Sequence, residues 1–235
     1  MNSNQPLVSV VMSVYNSERT LEKAIKSILN QTYQNIEFLI IDDGSSDLSH
    51  KILERYKKKD SKIKIYKNVK NIGLTKSLNI LLCKSEGDLI ARQDADDESL
   101  PGRIEKQVLK LQEQNLDFCT TRALRMDTKK IIPGLSFYLP KKILMKFKNP
   151  FIHGTLLIKK TVVTKADFYD ENFKYAQDYK LFTDLINQGY KFMSINEVLY
   201  LLNTQNNIST NKKDEQKYYA MCVKKKMTPS ATFKK

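Results

Sequence analysis

The sequence is poor in the residues that mark several classes of protein. It has no tryptophan, seven glycines and only three cysteines, Cys83, Cys119 and Cys222. Because their number is odd and their spacing is not that of metal ligands, the cysteines argue against a disulfide framework and predict reduced thiols in the cytoplasm. The few glycines form neither the Rossmann fingerprint nor the Walker A sequence, so neither type of glycine-rich loop holds phosphates here.

Long apolar runs are also missing. No stretch approaches the roughly 18 apolar residues that span a bilayer, and residues 1–6 have no signal-peptide pattern. We therefore expect a cytoplasmic protein that would meet a membrane only at its surface. Its 235 residues, 41% hydrophobic and 28% charged, are enough for one large globular domain or a domain with an appendage.

The chain is strongly basic, with 40 Lys and Arg against 26 Asp and Glu and a formal charge of +14. Such a charge permits nucleic acid, anionic membranes or phosphorylated small molecules as partners. Aromatic residues are not spaced along a basic face as in nucleic-acid modules, so we expect no nucleic-acid partner. Two lysine-rich segments, residues 129–148 and the tail from Asn211, would either bind an anionic membrane surface or form a solvated basic surface.

Strand-like and helix-like apolar segments alternate along the first half of the chain. The four strand-like segments, at residues 7–14, 38–41, 63–66 and 89–91, are rich in apolar or β-branched residues, as buried strands are. Each is followed by apolar residues at helical spacing. Strands that alternate with helices over short connections predict a mostly parallel sheet flanked by helices, an α/β fold of Rossmann-like type. In the less regular second half we expect one helix, ended by Gly189, and strands at residues 117–121, 151–158, 191–195 and 198–202.

Three carboxylates, Asp94, Asp96 and Asp97, follow the fourth strand directly. They would lie at the carboxyl edge of the sheet, together with residues 13–15 where the first strand ends and Asp42 and Asp43 where the second ends. A divalent cation such as Mg²⁺ or Mn²⁺ would stabilise three anions so close together, because it binds carboxylates and the oxygens of a substrate phosphate. The alternative is a solvated acidic turn that caps the following helix.

Several motifs, in this order along the chain, resemble those of one family. They include Ile-Ile-Asp-Asp-Gly-Ser-Ser-Asp at residues 40–47 and Ala-Arg-Gln-Asp-Ala-Asp-Asp at residues 91–97. The other matching positions are residues 8–16, 31–33 and 71–74, and Pro101, Arg103 and Gln107. Together they are similar to the family 2 glycosyltransferases of bacterial surface-polysaccharide type, which have the GT-A nucleotide-sugar fold. A weaker match, at residues 176–181, falls where that family has its catalytic acidic residue.

The resemblance implies a role for each matching residue at a nucleotide-sugar site. Tyr15, with Ser13 beside it, would pack on the nucleotide base, and Asp43 would accept a hydrogen bond from a uracil-type ring. Stacking suits any base because every base has a π-face, although a tyrosine after a strand is as often structural. Asp94 would lie near the ribose and the metal, and Asp96 would bind the cation, Mn²⁺ or Mg²⁺.

The family's general base corresponds to Asp178. An acceptor hydroxyl is a poor nucleophile near neutral pH and needs such a base within hydrogen-bond reach. The family usually has Glu-Asp where this chain has Gln177-Asp178, so the base is retained and an acidic neighbour is lost. His153 and Arg92 would contact the acceptor or the diphosphate; a structural histidine and a local ion pair are the alternatives.

The resemblance implies transfer of one sugar with inversion, from a UDP-sugar to a hydroxyl of a glycan or lipid-linked saccharide in surface-polysaccharide synthesis. Processive relatives carry Gln-x-x-Arg-Trp, and this chain has no tryptophan, so we expect a non-processive enzyme. Residues 1–121 would form the nucleotide-sugar-binding half, residues 122–210 the acceptor-binding half with the base, and residues 211–235 a basic tail. The protein would be cytoplasmic, or peripheral at the inner face of the cell membrane.

Two other functions fit parts of the sequence. A catalytically silent relative would bind the nucleotide sugar and act as a scaffold; the presence of Asp94, Asp96 and Asp178 argues against it. A nucleotide-sugar pyrophosphorylase would have a similar sheet, but that class needs a glycine-rich loop near its N-terminus. Residues 13–19 contain no glycine, which argues against this second alternative.

Overall fold

Four parallel strands form the first half of the central sheet in the computed structural model, which describes residues 5–204 and 212–230. In the order of their pairing they are β3 (Ile63–Lys67), β2 (Ile36–Asp42), β1 (Val8–Val14) and β4 (Leu89–Arg92). Most side chains of β1, β2 and β4 are buried, which is why their sequences are rich in apolar and β-branched residues. The four strands predicted for this half are confirmed.

Four helices follow these strands and cover both faces of the sheet. They are α1 (Leu21–Leu29), α2 (Ser49–Lys57), α3 (Leu74–Lys84) and α4 (Arg103–Glu113). Ile25 of α1 and Ile104 of α4 are buried in the core on one face. Leu78 and Leu82 of α3 are buried in the core on the other face. The apolar spacing that predicted these helices is therefore the spacing of their buried residues.

The second half of the sheet is mixed. Its strands are β5 (Glu98–Ser99), β6 (Phe118–Arg125), β7 (Ile131–Ile132), β8 (Leu157–Lys159) and β9 (Phe192–Leu202). From β4 the sheet continues in the order β8-β6-β9-β5, and β7 pairs with β6. β8 is antiparallel to β4 and β6, whereas β6 and β9 are parallel. The predicted α/β fold is confirmed, and the direction of the strands reverses at β8, between the two parallel sets.

Four helical segments of the second half are short: 3₁₀ turns at Leu135–Tyr138 and His153–Thr155, α5 (Lys141–Leu144) and α6 (Lys160–Lys165). Two longer helices follow, α7 (Gln177–Asn187) and α8 (Lys213–Lys225). The predicted helix is α7, and it packs Phe182 and Leu185 into the core on the α3 face. Within the part of the chain that the structure describes, no helix is both long and apolar enough to cross a membrane.

Part of the predicted basic tail forms a packed helix. Cys222 and Val223 of α8 are buried in the same core as α7. Residues 211 and 231–235 of that tail, and residues 205–210 before it, lie outside the described residues. The division of the chain after residues 121 and 210 stays a prediction.

The strand expected at residues 151–158 is wrong over most of its length. β8 begins only at Leu157, and a 3₁₀ turn precedes it. Phe151 is buried because its ring packs on that of Phe182, with 4.6 Å between centroids. Phe118 of β6 lies in the same cluster, 6.1 Å from Phe151. An apolar residue that a loop buries in this way has the same local pattern as a strand residue.

The two strands expected at residues 191–195 and 198–202 form one continuous strand, β9. Its pairing with β6 shifts register on either side of Arg122, which is the mark of a bulge or similar irregularity in the ladder. The extra residues at this shift interrupt the apolar alternation, and the sequence therefore looks like two strands. β6 is also longer than expected, since it continues to Arg125.

Candidate active site

The carboxyl ends of β1, β2 and β4 lie at one edge of the sheet. This edge carries Tyr15 directly after β1 and Asp43 directly after β2. Residues 93–97, here called the acidic loop, follow β4 and reach the start of α1. Thr20 Oγ1 there donates a hydrogen bond of 3.0 Å to the carbonyl oxygen of Ala95. The loops after the three strands are thus neighbours in space.

Gln93 holds the acidic loop in shape from inside the protein. Its buried Nε2 donates hydrogen bonds of 3.0 Å to the carbonyl oxygens of both Asp94 and Asp97. Its Oε1 accepts a hydrogen bond of 2.6 Å from Ser99 Oγ in β5. The backbone of the loop is therefore fixed at both ends by one amide side chain.

Arg92 lies beneath the loop and is paired with Asp94. Its Nη2 is 2.5 Å from Asp94 Oδ1, and its Nη1 donates to the carbonyl oxygen of Gln93. Burial by itself would lower the pKa of Arg92. The combined electrostatic influence of Asp94, and then of Tyr169 and Tyr200, is larger, and the pKa is raised. Because Arg92 is only 1% exposed, it positions Asp94, and its expected contact with a phosphate stays a prediction.

A second buried arginine, Arg103 of α4, lies behind the first. Its Nη1 donates to the carbonyl oxygens of Arg92 (3.1 Å) and Gly154 (2.9 Å). Its guanidinium lies 5.5 Å from the centroid of the Tyr200 ring, an arrangement that favours a cation over an aromatic face. Burial lowers the pKa of Arg103 to about 10, so it remains charged at neutral pH. Tyr200 Oη in turn accepts a hydrogen bond of 3.2 Å from the backbone N–H of Asp94.

The carboxylates of the acidic loop repel one another in a poorly solvated place. Burial, and then the charge of Asp94, raises the pKa of Asp96 to about 6. The same causes raise the pKa of the buried Asp97 well above its usual range, although the N–H of Asn203 donates a hydrogen bond of 2.7 Å to its Oδ1. The loop therefore carries more negative charge than its surroundings stabilise.

This donor set fits a hard divalent cation that shares its ligands with a substrate. Asp94 and Asp96 offer carboxylate oxygens, the ligands that Mg²⁺ and Mn²⁺ prefer. A bound cation would also relieve the surplus negative charge that the raised pKa of Asp96 reflects. Among residues 5–204 and 212–230, no group of three or more His, Cys, Asp or Glu side chains is arranged to hold a metal alone. A cation held by one or two carboxylates completes its coordination with waters and substrate phosphate oxygens.

Asp178 lies in the first turn of α7, whose N-terminal boundary is Ala176 in the left-handed region, with φ of 52°. Burial is the main cause that raises the pKa of Asp178 to about 6, and the charge of Asp94 adds to it. Asn149 Nδ2 donates a hydrogen bond of 2.7 Å to Asp178 Oδ2. Asn149 Oδ1 accepts a hydrogen bond of 3.0 Å from the backbone N–H of Phe151, which fixes the orientation of the Asn149 amide. Asp178 is thus a poorly solvated carboxyl that one oriented amide holds in place.

His153 and Tyr169 form a pair beside these carboxylates. His153 Nε2 and Tyr169 Oη are 2.7 Å apart, and Tyr169 is close enough to Asp178 to be influenced by its charge. Burial, with the nearby charge of Arg92, lowers the pKa of His153 to about 3. His153 is therefore neutral at physiological pH. Its expected contact with acceptor or diphosphate stays a prediction, and such a contact would be a hydrogen bond without ionic attraction.

The residues expected to bind the nucleotide base lie at the same edge. Tyr15 is 51% exposed, as a stacking surface must be, and Ser13 is half-buried in β1. Asp43 is buried and accepts hydrogen bonds of 2.9 Å from the backbone N–H groups of residues 72–73 and of 2.8 Å from Asn68 Nδ2. Asp43 therefore fixes the loop before α3. The nucleotide-binding roles of these residues stay predictions.

Sequence reasoning missed the residues that position the carboxylates. Asn149, Tyr169 and Tyr200 were not singled out, and Gln93 and Arg103 entered only as matching motif positions. A buried polar residue inside a helix, such as Arg103, could have been noticed from its place on the apolar face of α4. Asn149 and Tyr200 contact the site across long sequence separations, so no local pattern identifies them, whereas Gln93 lies within the acidic loop itself.

The fold is shared with solved glycosyltransferase structures. TarS of S. aureus in complex with UDP superposes with a TM-score of 0.75 at 20% identity, over 92% of this chain and 63% of that chain. The mannosyltransferase PcManGT of Pyrobaculum calidifontis, in complex with GDP-Man and Mn²⁺, superposes with a TM-score of 0.75 at 15% identity, over 94% and 64%. The chain thus spans less than two thirds of either solved chain. At such identities the likeness concerns the fold alone, which is the GT-A fold.

The sequence comparisons identify the family. Residues 9–171 match the model for glycosyl transferase family 2. EpsE of Bacillus subtilis (strain 168), a candidate glycosyltransferase, is 35% identical over 209 residues, 85% of this chain and 73% of its own. The O-antigen biosynthesis glycosyltransferase WbnJ of Escherichia coli is 33% identical over 219 residues, 91% of this chain and 85% of its own. The chain therefore belongs to glycosyl transferase family 2, as its motifs predicted.

Replacing Gly154 by alanine should disturb the acidic loop. An added Cβ would lie 2.2 Å from Tyr200 Oη and 2.9 Å from Asp94 Oδ2, so Tyr200 or the loop would have to move. We expect the free energy of unfolding, measured by urea titration, to fall by about 1–3 kcal/mol. Gly102→Ala is the control, because its Cβ would meet no atom nearer than 3.6 Å. Equal losses in the two variants would contradict this account.

The raised pKa of Asp178 should make stability depend on pH. A carboxyl whose pKa rises from 3.8 to about 6 on folding binds its proton more tightly in the folded state. Its contribution to stability is therefore greatest below pH 3.8 and is lost as the pH rises through 6. Asp178→Asn should be more stable than the wild type at pH 8, by up to about 3 kcal/mol, and less so at pH 5. Urea titrations at both values, with the exposed Asp88→Asn as control, test this; a constant difference would contradict it.

Proposed function

We propose that this chain transfers one sugar from a UDP-sugar to a hydroxyl of a glycan or lipid-linked saccharide, with inversion, in the synthesis of a surface polysaccharide. The observation that carries the proposal is the pairing of two acidic centres at one edge of the sheet. One is the acidic loop with Asp94 and Asp96; the other is Asp178, whose pKa responds to the charge of Asp94. Complexes of the similar protein TarS with UDP and the O-antigen role of WbnJ support the choice of donor and pathway.

Donor binding would use the carboxyl ends of β1, β2 and β4. Tyr15 would stack on the base, with Ser13 beside it, and Asp43 would accept a hydrogen bond from it. Asp94 and Asp96 would hold Mn²⁺ or Mg²⁺. When bound, such a cation stabilises a leaving diphosphate as a Lewis acid, without a proton donor. The Mn²⁺ complex of the similar PcManGT supports this choice of metal.

The acceptor hydroxyl would be activated by Asp178. With a pKa of about 6, Asp178 is ionised at neutral pH and is a stronger base than an ordinary aspartate, which suits proton transfer from an alcohol. Asn149 would keep its Oδ2 oriented, and Oδ1 would accept the proton. Attack from the face opposite the leaving diphosphate inverts the anomeric carbon in a single displacement. Because the chain lacks the tryptophan of processive relatives, we propose one sugar per encounter.

Calorimetric titration of UDP, with and without Mn²⁺, tests the donor site. We expect Mn²⁺ to strengthen UDP binding at least about tenfold, and Asp96→Ala to remove that gain, because one carboxylate ligand is lost. Asp88→Ala is the matched control: it also removes an exposed carboxylate, but at the amino end of β4, the opposite edge of the sheet. UDP binding that does not depend on metal, or no binding, would contradict the proposed donor site.

The pH dependence of turnover tests the base. UDP release from UDP-sugars with saccharide acceptors should fall at low pH, with an apparent pKa near 6. Asn149→Ala removes a hydrogen bond to the carboxylate, so the apparent pKa of this fall should rise. Asn35→Ala, before β2 at the other edge of the sheet, is the control and should leave the apparent pKa unchanged. Asp178→Asn should keep metal-dependent UDP binding and lose about 10²–10⁴-fold in turnover. Donor binding with no turnover in the wild type would favour the silent scaffold.

A further inference from the structure

One segment of the chain presents an unusual number of large apolar side chains to solvent. We define the 135–148 surface as the exposed side chains of residues 135–148. Its apolar members are between 53% and 89% exposed: Leu135, Tyr138, Leu139, Ile143 and Phe147. Single exposed apolar residues are ordinary, but several on one surface segment indicate a site of interaction.

The inner side of this segment is anchored to the protein. The ring of Phe137 lies between the guanidinium of Arg122, at 5.1 Å, and the ammonium of Lys141, at 4.6 Å. Met145 is buried in the core of the α7 face, and Tyr179 Oη donates a hydrogen bond to its carbonyl oxygen. The outward apolar side chains therefore belong to an ordered element with a packed inner face.

Helical turns give this surface an amphipathic arrangement. Backbone hydrogen bonds of 2.9 Å, from the N–H of residue 145 to the carbonyl of 141 and from 148 to 144, continue α5 into a second turn. Ile143 and Phe147, four residues apart, are therefore neighbours on the outer side. The exposed Lys142 and Lys146 are also four residues apart and flank them. Apolar side chains bordered by lysines are typical of segments that lie in a membrane interface.

The charge of the region restricts what can cover it. Residues 128–148, which include the surface, contain six lysines and no aspartate or glutamate. A second copy of the chain would bring two such lysine-rich regions together, and their repulsion opposes this contact. An anionic lipid surface supplies both an apolar layer for the exposed side chains and negative headgroups for the lysines. We infer that the 135–148 surface docks on the surface of an anionic bilayer.

Docking would bring the acceptor side of the active site close to the lipid. Asn149, which holds Asp178, follows directly after the last residue of the surface. A saccharide carried on a membrane lipid would then reach the base without leaving the bilayer. This consequence for the acceptor rests on the proposed function; the docking itself does not, because it requires neither donor nor metal.

Vesicle co-sedimentation of the whole protein, without nucleotide or metal, tests the docking. The probes are vesicles of phosphatidylcholine alone and of phosphatidylcholine with phosphatidylglycerol. We expect binding to the anionic vesicles that weakens as salt is raised. Ile143→Ser with Phe147→Ser, and separately Lys142→Glu with Lys146→Glu, should each reduce the partition coefficient by about tenfold or more.

Matched pairs elsewhere control for the loss of apolar surface and of charge. Leu48→Ser with Val69→Ser removes two exposed apolar side chains. Lys57→Glu with Lys58→Glu reverses the charge of two exposed lysines at the end of α2. Both double variants should bind vesicles as the wild type does. Unchanged binding of the two surface variants, or no binding to anionic vesicles by the wild type, would overturn the inference. The inference would also be overturned if the wild type formed a dimer and bound no vesicles, and if Ile143→Ser with Phe147→Ser dissociated that dimer. A second copy of the chain would then be the partner.

Discussion

The burial of two arginines beneath the acidic loop constrains the whole edge of the sheet that carries the candidate site. A buried guanidinium that lacks partners destabilises a protein by several kcal/mol, so the chain around it must supply acceptors. Arg92 finds them for its two Nη groups in Asp94 and the backbone of Gln93. Arg103 finds them for Nη1 in the carbonyls of Arg92 and Gly154. The position of Asp94 therefore depends on β4, on α4 and on the turn before β8 at once.

The same poor solvation shapes the chemistry of the carboxylates. It raises the pKa of Asp96 and of Asp178 to about 6, so each charged carboxylate is less stable in the folded protein than it would be in water. For Asp96 the surplus charge suits a cation and a diphosphate; for Asp178 it suits a proton acceptor. One segment links this second centre to the outside, because the chain runs from the 135–148 surface directly into Asn149. The arrangement gives up stability at the site, as active sites commonly do.

Much of the fold and part of the candidate site could be predicted from the sequence. The strands of the first half are rich in buried side chains and its helices are amphipathic, so the apolar pattern was sufficient to find them. Parallel pairing then required that Tyr15, Asp43 and Asp94 follow strands at one edge. The motifs around these residues also indicated the family. The second half was less predictable, since the run before Leu157 is buried by ring packing and β9 changes register on β6.

The sequence by itself thus determined the α/β architecture of the first half, the edge that carries the acidic loop, and the residue types available there. Only the tertiary structure decided which polar groups hold those residues. Asn149 and Asp178 are 29 positions apart, Arg103 and Gly154 are 51 apart, and Asp94 and Tyr200 are 106 apart. A local pattern records whether a residue is buried, because burial follows the period of a helix or strand. It does not record which distant group a buried polar side chain meets, since that depends on how the elements pack.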